Sequence, residues 1–399
     1  MASATDSSTF TPQYEPELDL LEEYCERNPV PEELLSSTTS ALPPPWPSRT
    51  SVMAWKAGDL QVDNEYITYL SDGEQREIMA ACAAFTESGK SLNGLDASSF
   101  PLPLLADRLA ATRKNLHEGL GMAVLRGLDI SSLSMRDTFT AFAGLASHVS
   151  QRRGRQSGGK MIVHITDLSE LGGAVLPAPY RNSPLPFHTD PAADIVAMFV
   201  VQPSLSGGHG TFSPVATVYN TLATRRPDLL RELAAPDWPF VKAGGAGGPE
   251  DVTHQRRPVL FLGAISGAPE MLFSRGSLVR SSCLTMAQTA ALDALHFAAR
   301  DAACRIEYAA GDVLFFNNRR VLHGREAFLD GCGCGPRRPG EKQGQEGLKK
   351  KRHMLRLWLQ DEEHAGLPPA PMAAVWERTF AEHGHREHDE GWPLEPDRS

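Results

Sequence analysis

Basic charge is in short supply in this chain. Its 39 Lys and Arg face 49 Asp and Glu, giving a formal net charge of -10 and a pI near 5.7. No basic stripe offers itself to a phosphate backbone, so nucleic acid is not an expected partner. Long apolar runs are also missing. The longest, such as "IVAMFVV" and "VLFLGAI", fall well short of the ~20 residues that cross a membrane, and no membrane partner is expected. The opening "MASATDSSTFTPQYEPELDL" is polar and acidic. It lacks the cationic start and apolar stretch of a secretory leader. Cysteine is sparse and scattered, at Cys25, Cys82, Cys283, Cys304, Cys332 and Cys334. That pattern suits free thiols in a reducing, cytoplasmic setting. The closely spaced pair in "GCGCG" offers two thiols where a structural zinc site uses four ligands. No internal repeat is visible.

What is present is an ordinary globular composition, 41% hydrophobic and 22% charged. The first 60 residues are rich in Pro and Ser, with "ALPPPWPSRT" reading as a linker and "PELDLLEEYCERN" as a short acidic helix. Helical spacing follows over about 72–90, 103–119 and 134–149, the last opened by Ser134, and "GMAVLRGLDI" reads as a strand. From residue 160 the texture changes to short apolar runs punctuated by Gly, Pro and Asp: "KMIVHIT", "IVAMFVVQP", "PVLFLGAI", "EMLFSR", "RIEYA", "DVLFFNN" and "HMLRLWLQD". Helices interrupt them at about 217–234 and 285–303. Many short strands with a few helical insertions predict a mainly β fold with flanking helices, built on a double-sheet jelly roll rather than βαβ units. Residues 1–100 are expected to form an extension packed on a main domain, 101–399. The Gly- and Lys-rich stretch 331–351, "GCGCGPRRPGEKQGQEGLKKK", is expected to be a mobile surface loop.

The chemistry begins at "PFHTDPAADIVAMFVVQ", where His188 and Asp190 stand two apart ahead of an apolar run. About one His-x-Asp is expected by chance in a chain of this length, so the pair needs support. At a strand edge, residues i and i+2 share a face and can meet one ion. A facial triad of two histidines and a carboxylate then needs a histidine from a distant strand. "GDVLFFNNRRVLHGREAF" supplies His323 after a turn, a strand and a second turn.

Taken with "SGGHGTFSPVATVYN" and "RHMLRLWL", these segments resemble the taurine dioxygenase (TauD/TfdA) family of Fe(II)/2-oxoglutarate-dependent oxygenases over roughly residues 120–365. The resemblance implies a double-stranded β-helix (jelly-roll) core with iron held by His188, Asp190 and His323. It implies that Arg352 binds the co-substrate 2-oxoglutarate and that Arg356 faces the substrate. Two neutral imidazoles and one carboxylate suit Fe(II) while leaving adjacent positions open to 2-oxoglutarate and O2. Arginine suits the far carboxylate of the co-substrate, being planar and permanently charged. Two departures stand out. Where the family carries a Thr or Ser beside that arginine, an ungapped alignment of "SGGHGTF" puts Gly210, with Thr211 one residue later, and a shift of one residue reverses facing on a strand. The spacing from His323 to Arg352, 352 − 323 = 29 residues, is longer than the family's, and the 331–351 insertion absorbs it.

Three further residues have two readings. His164 either lines the substrate side or is a hydrogen-bonded core histidine. Arg275, in "LFSRGS", either reaches the substrate from a strand end or is an ordinary surface arginine. The His385 and Glu387 pair in the polar tail has no strand context and reads as a decoy. The expected activity is oxidation of a C–H bond in a small, anionic or amino-acid-like molecule of specialised metabolism, by hydroxylation, desaturation or ring closure. The alternatives are an impaired jelly-roll protein that binds metal or ligand without turnover, and a metal hydrolase using the same triad. Self-association is left open.

Overall fold

Alternation along one strand organises the molecule. In β17 (His353–Gln360), Leu355, Leu357 and Leu359 pack into one apolar cluster while Met354 and Trp358 pack into another. Successive side chains point to opposite faces of a strand, so this strand separates two cores. The structure is a computed structural model that describes residues 21–27, 29, 42–60, 66–169, 176–241, 254–279, 284–330, 351–381 and 391–396. The segment expected as a mobile loop lies, except for Lys351, outside the described residues, as do His385 and Glu387.

The larger sheet runs in the order β1 (Ile67–Tyr69), β2 (Met122–Arg126), β14 (Val313–Asn317), β6 (Ile195–Gln202), β17 and β3 (Arg152–Gly154), with β4 (Val163–Thr166) also paired to β17. The smaller sheet runs β13 (Cys304–Ile306), β8 (Gly210–Pro214), β15 (Val321–Arg325) and β5 (Leu185–His188). Apart from the parallel pair β1–β2, neighbours in both sheets are antiparallel. Three two-stranded ribbons border them: β7 (Ser206–Gly207) with β16 (Phe328–Leu329), β9 (Trp238–Val241) with β10 (His254–Arg257), and β11 (Leu260–Leu262) with β12 (Pro269–Met271).

The α-helices among the described residues are α1 (Leu21–Arg27), α2 (Asp72–Glu87), α3 (Ala106–Glu118), α4 (Met135–Val149), α5 (Val215–Arg225), α6 (Pro227–Ala234), α7 (Arg275–Val279), α8 (Met286–Ala302), α9 (Glu362–Ala365) and α10 (Ala373–Thr379). Their starts follow local chemistry. Ser71 with Glu74, and Thr285 with Gln288, form reciprocal capping boxes, and Ser134 accepts from the Asp137 amide. The single helix expected over 217–234 is two. Arg226 ends α5 and precedes Pro227 at the start of α6. Proline has no amide to give the preceding turn and its ring clashes there, so the chain restarts.

Helices α2, α3 and α4 cover the outer face of the larger sheet, around Phe139, Phe142, Phe199 and Phe315. Helices α5, α6 and α8 cover the outer face of the smaller one, around Phe187 and Leu322. Phe212, Phe316, Met354 and Trp358 fill the space between the sheets. Residues on both sides of position 100 share these cores. Strand β1 extends the larger sheet, and Phe100 joins Phe139 and Phe142. Gly144 permits that contact, since a Cβ there would lie 2.5 Å from the Phe100 ring. Among the described residues no helix is long and apolar enough to cross a membrane.

One buried charge ties the turn between β14 and β15 to the rest of the protein. Arg319 is 1% exposed, and its guanidinium bonds Glu270 at 2.7 Å, Asp194 at 3.3 Å and the carbonyls of Ala365, Gly366 and Leu367. Burial pushes the Glu270 and Asp194 carboxyls up, against the pull of Arg319. Removing the cation strands two buried acids, an effect on the order of 3–5 kcal/mol for a broken buried pair. Arg319→Met is therefore expected to lower the urea unfolding free energy by about that amount. A change below ~1 kcal/mol would show that the network is not what holds this turn.

Candidate active site

His188 ends β5, and His323 lies opposite it in β15, in direct register. Both side chains enter the space between the sheets. The ring centroids are 4.1 Å apart, and His323 also lies 4.7 Å from the Phe316 ring. Asp190 follows β5 in a turn clamped at several points. Its amide donates to Asn318 Oδ1 at 2.7 Å, and Asn318 Nδ2 returns bonds to the carbonyls of Asp190 and Ala193, each at 3.0 Å. Thr189 exchanges bonds with Phe273, its amide donating to the Phe273 carbonyl and its hydroxyl accepting from the Phe273 amide, both at 2.8 Å.

The result is a three-residue cluster whose candidate ligand atoms lie within 4.8 Å of one another. Nε2 of His188 and Nε2 of His323 are each 3.9 Å from the same oxygen, Asp190 Oδ1. The other oxygen, Oδ2, accepts from Trp358 Nε1 at 2.7 Å and pairs with Arg356 Nη1 at 3.1 Å. Arg356 Nη1 also donates to Oδ1 at 3.2 Å, so the guanidinium spans both oxygens, while the indole holds Oδ2 and the two imidazoles face Oδ1. Burial pulls both imidazoles below their ordinary pKa, His323 well below. Burial alone would raise Asp190, but Arg356, the two histidines and Trp358 outweigh it and the carboxyl is lowered. At neutral pH the set is two neutral rings and one carboxylate.

That donor set fits a divalent transition metal of the iron type. The Nδ1 of His188 lies 2.9 Å from the Pro186 carbonyl, which fixes the proton on Nδ1 and leaves the Nε2 lone pair for a metal. His323 Nδ1 is buried without a hydrogen-bond partner. The other cluster among the described residues that could hold a metal is Asp361, Glu363 and His364. There, Asp361 is already gripped by Arg113 and His117.

Arg352 and Arg356 lie on the same face of the β17 segment as Met354 and Trp358. Arg352 is 4% exposed, and among the described residues it makes no ion pair and its Nη1 has no hydrogen-bond partner. Its amide donates to Asp330 Oδ1 at 2.9 Å and its guanidinium lies 5.3 Å from the Phe328 ring centroid. Burial lowers its pKa. A buried guanidinium without a close ion pair is costly; Asp330 acts on it electrostatically without pairing with it. Arg356 is differently engaged. Nε donates to Gln156 Oε1 at 2.8 Å and Nη1 goes to Asp190, so this residue braces the triad as well as facing the interior.

Three sequence expectations are corrected. Thr211 does not point at the Arg352 side. Phe212, its neighbour, packs between the sheets, so alternation turns Thr211 to the outer, helix-covered face, beside Phe187 and His296. His164 is not on the substrate side either. It pairs with Leu355 in register and lies edge-on to Phe139 at 5.7 Å under α4. There it stacks on His353, with a 2.7 Å Nδ1 to Nε2 contact, and its Nε2 lies 2.7 Å from the Pro393 carbonyl. Arg275 is the first residue of α7 rather than a strand end, and it pairs with Asp293 of α8 at 2.6 Å. Conversely, the sequence reading passed over Asn318, Gln156 and the bond from Trp358 to Asp190. Asn318 is separated from Asp190 by 128 residues and Trp358 by 168; no local pattern links such positions.

The model of the family described as "Taurine catabolism dioxygenase TauD, TfdA family" matches residues 87–358. A taurine hydroxylase-like protein, SAT17 of Stachybotrys chartarum, is 28% identical over 363 residues, covering 86% of this chain and 88% of that one. An FR-33289 synthase of Streptomyces rubellomurinus is 23% identical over 340 residues, covering 82% and 94%. An asparagine oxygenase solved with Fe(II), 3-hydroxyasparagine and succinate superposes with a TM-score of 0.54 at 17% identity, over 77% of this chain and 98% of that one. The non-heme iron oxygenase OrfP, solved with Fe, succinate and (3S)-hydroxy-L-Arg, does so with a TM-score of 0.54 at 15% identity, over 74% and 94%. The two stacked sheets are the jelly roll of these oxygenases, and with two-thirds of its length matched the chain belongs to the TauD/TfdA family of Fe(II)/2-oxoglutarate-dependent oxygenases.

Proposed function

We propose that His188, Asp190 and His323 hold Fe(II), that Arg352 binds the far carboxylate of 2-oxoglutarate, and that the enzyme oxidises a C–H bond of a small anionic or amino-acid-like molecule in specialised metabolism. The observation that carries this reading is the convergence of two neutral imidazole Nε2 atoms on one oxygen of Asp190. Bound Fe(II), with 2-oxoglutarate and O2, supplies the oxidising power, and succinate and CO2 are the co-products. Trp358 holds Asp190 Oδ2 and Arg356 spans both oxygens, which together fix the carboxylate with Oδ1 toward the metal position. Pro186 fixes the His188 tautomer. Apolar walls from Phe212 and Phe316 limit water around the triad. Among the described residues the third nitrogen of Arg356, Nη2, makes no hydrogen bond, and it is the group assigned to a substrate anion. The asparagine and arginine derivatives bound by the two solved oxygenases favour an amino-acid-like substrate. The proposed setting is the cytoplasm, with no nucleic acid or membrane as partner.

A metabolite screen read by succinate release, with the product mass determined, tests the reading. A gain of one oxygen marks hydroxylation, and a loss of two hydrogens marks desaturation or ring closure. If no amino acid or small anion raises succinate release above the substrate-free rate, the substrate class is wrong.

The metal assignment makes its own prediction. His188→Ala and His323→Ala are expected to abolish turnover and Fe(II) binding. Trp358→Phe is expected to keep the ligands but weaken metal binding by roughly 10–100-fold, as loss of an outer partner does. Titration with Mn(II) followed by its spin-resonance signal measures both. Full metal affinity in His323→Ala would remove that residue from the triad.

The arginines separate kinetically. Arg352→Gln is expected to raise the KM for 2-oxoglutarate by about a hundredfold, the scale of a lost charge-assisted pair in a dry pocket. Arg356→Gln is expected to raise the KM for the prime substrate and also to loosen the metal, because it braces Asp190. An unchanged substrate KM in that variant would move the substrate anion to another residue.

A further inference from the structure

Gly210 stands where the resemblance leads one to expect a hydroxyl side chain beside the co-substrate arginine, and Thr211, turned to the outer face, does not replace it. The space is nevertheless taken. Gly210 shares the inner face of β8 with Phe212, and a Cβ built on it would lie 1.8 Å from the Tyr308 hydroxyl and 2.7 Å from Cζ of the same ring. Tyr308 follows β13, whose Ile306 is paired with Gly210. The ring packs against the cluster between the sheets, and its hydroxyl makes no hydrogen bond among the described residues. The charge of Arg352 acts on it electrostatically; burial pushes the phenol up to about 12, partly offset by that cation. So it is a neutral donor at working pH. Arg352 in turn has its partnerless Nη1 and no ion pair.

We infer that Tyr308 supplies the hydroxyl that β8 lacks, donating a hydrogen bond to the same far carboxylate of 2-oxoglutarate that Arg352 binds. The inference rests on the proposed role of Arg352. Gly210 is then required for a reason of its own: any side chain there would displace the phenol. The pocket keeps one fixed cation and one hydroxyl donor, with the hydroxyl delivered from the chain after β13 instead of from β8. A phenol reaches further from its backbone than a threonine hydroxyl, which is why the position facing it has no Cβ.

The test is 2-oxoglutarate binding to the Mn(II)-loaded protein by calorimetry under anaerobic conditions, without turnover. Tyr308→Phe is expected to weaken 2-oxoglutarate binding roughly tenfold, the scale of one hydrogen bond to a charged acceptor, while Mn(II) affinity stays unchanged. Gly210→Thr alone is expected to weaken it as well, by displacing the phenol. Combining Gly210→Thr with Tyr308→Ala moves the hydroxyl to β8 and is expected to recover most of the lost affinity, an outcome a purely structural tyrosine would not give. Arg352→Gln in the same assay separates the two levels. If it weakens binding while Tyr308→Phe stays within twofold of the parent and the double variant recovers nothing, the tyrosine assignment is overturned and the arginine stands. If Arg352→Gln is also without effect, the co-substrate pocket lies elsewhere and both fall.

Discussion

The interior of this protein is arranged around one desolvated carboxylate. Asp190 is 3% exposed, and an isolated carboxylate in such a place would take up a proton. Instead it is held ionised by Arg356, both imidazoles and the Trp358 indole. The way these partners divide its two oxygens gives the site its direction. Trp358 takes Oδ2, Arg356 Nη1 reaches both oxygens, and Oδ1 is turned to the two Nε2 atoms. A ligand set for a labile ion needs this kind of bracing, because side chains free to rotate would lose geometry and affinity together. Asn318 does for the backbone of the turn what Trp358 does for its side chain, fixing Asp190 and Ala193 at once.

Strand β17 links that carboxylate to Arg352, the residue proposed to bind the co-substrate. Its inward residues Met354, Arg356 and Trp358 continue the face of Arg352 just before it, so the proposed anion-binding cation and the two groups that brace Asp190 share one face of one segment. The outward leucines of the same strand anchor it under α2, α3 and α4. The face that carries the proposed site is therefore positioned by burial of the opposite face. The same parity explains why His164 and His353, on the outward side, form a stacked pair beneath a helix instead of joining the site. It also separates Thr211 from Phe212 on β8, and so leaves the inner face at Gly210 to a group delivered by another segment.

Much of this was legible in the chain itself. Capping at Ser71, Ser134 and Thr285 marks helix starts because a side chain and an amide three residues on are always neighbours. Short β-rich runs after residue 160 announce the jelly roll, since period-two burial is a local property of each strand. His188 and Asp190 are close in sequence, so their shared direction is readable too, and the resemblance of the later motif points to His323. The break at Pro227 was missed, since helical spacing over 217–234 reads as one helix, although the missing amide proton is a property of the residue.

Other features depend on which strands meet and in what register. The bonds from Trp358, Arg356 and Asn318 to Asp190 span well over a hundred residues; they exist because β17 pairs with β6, and β15 with β5, at one offset and not the next. The face of Thr211 could not be read from "SGGHGTF", because moving a strand by a single residue exchanges its two sides. Nor could Tyr308 be matched with Gly210 before β13 and β8 were paired. The sequence alone determined most of the elements, the donor types at His188, Asp190 and His323, and the family, all set by residue type and short-range spacing. Only the tertiary structure decided which side chains face inward and which distant groups hold Asp190, because register is settled when whole strands bury their apolar faces together.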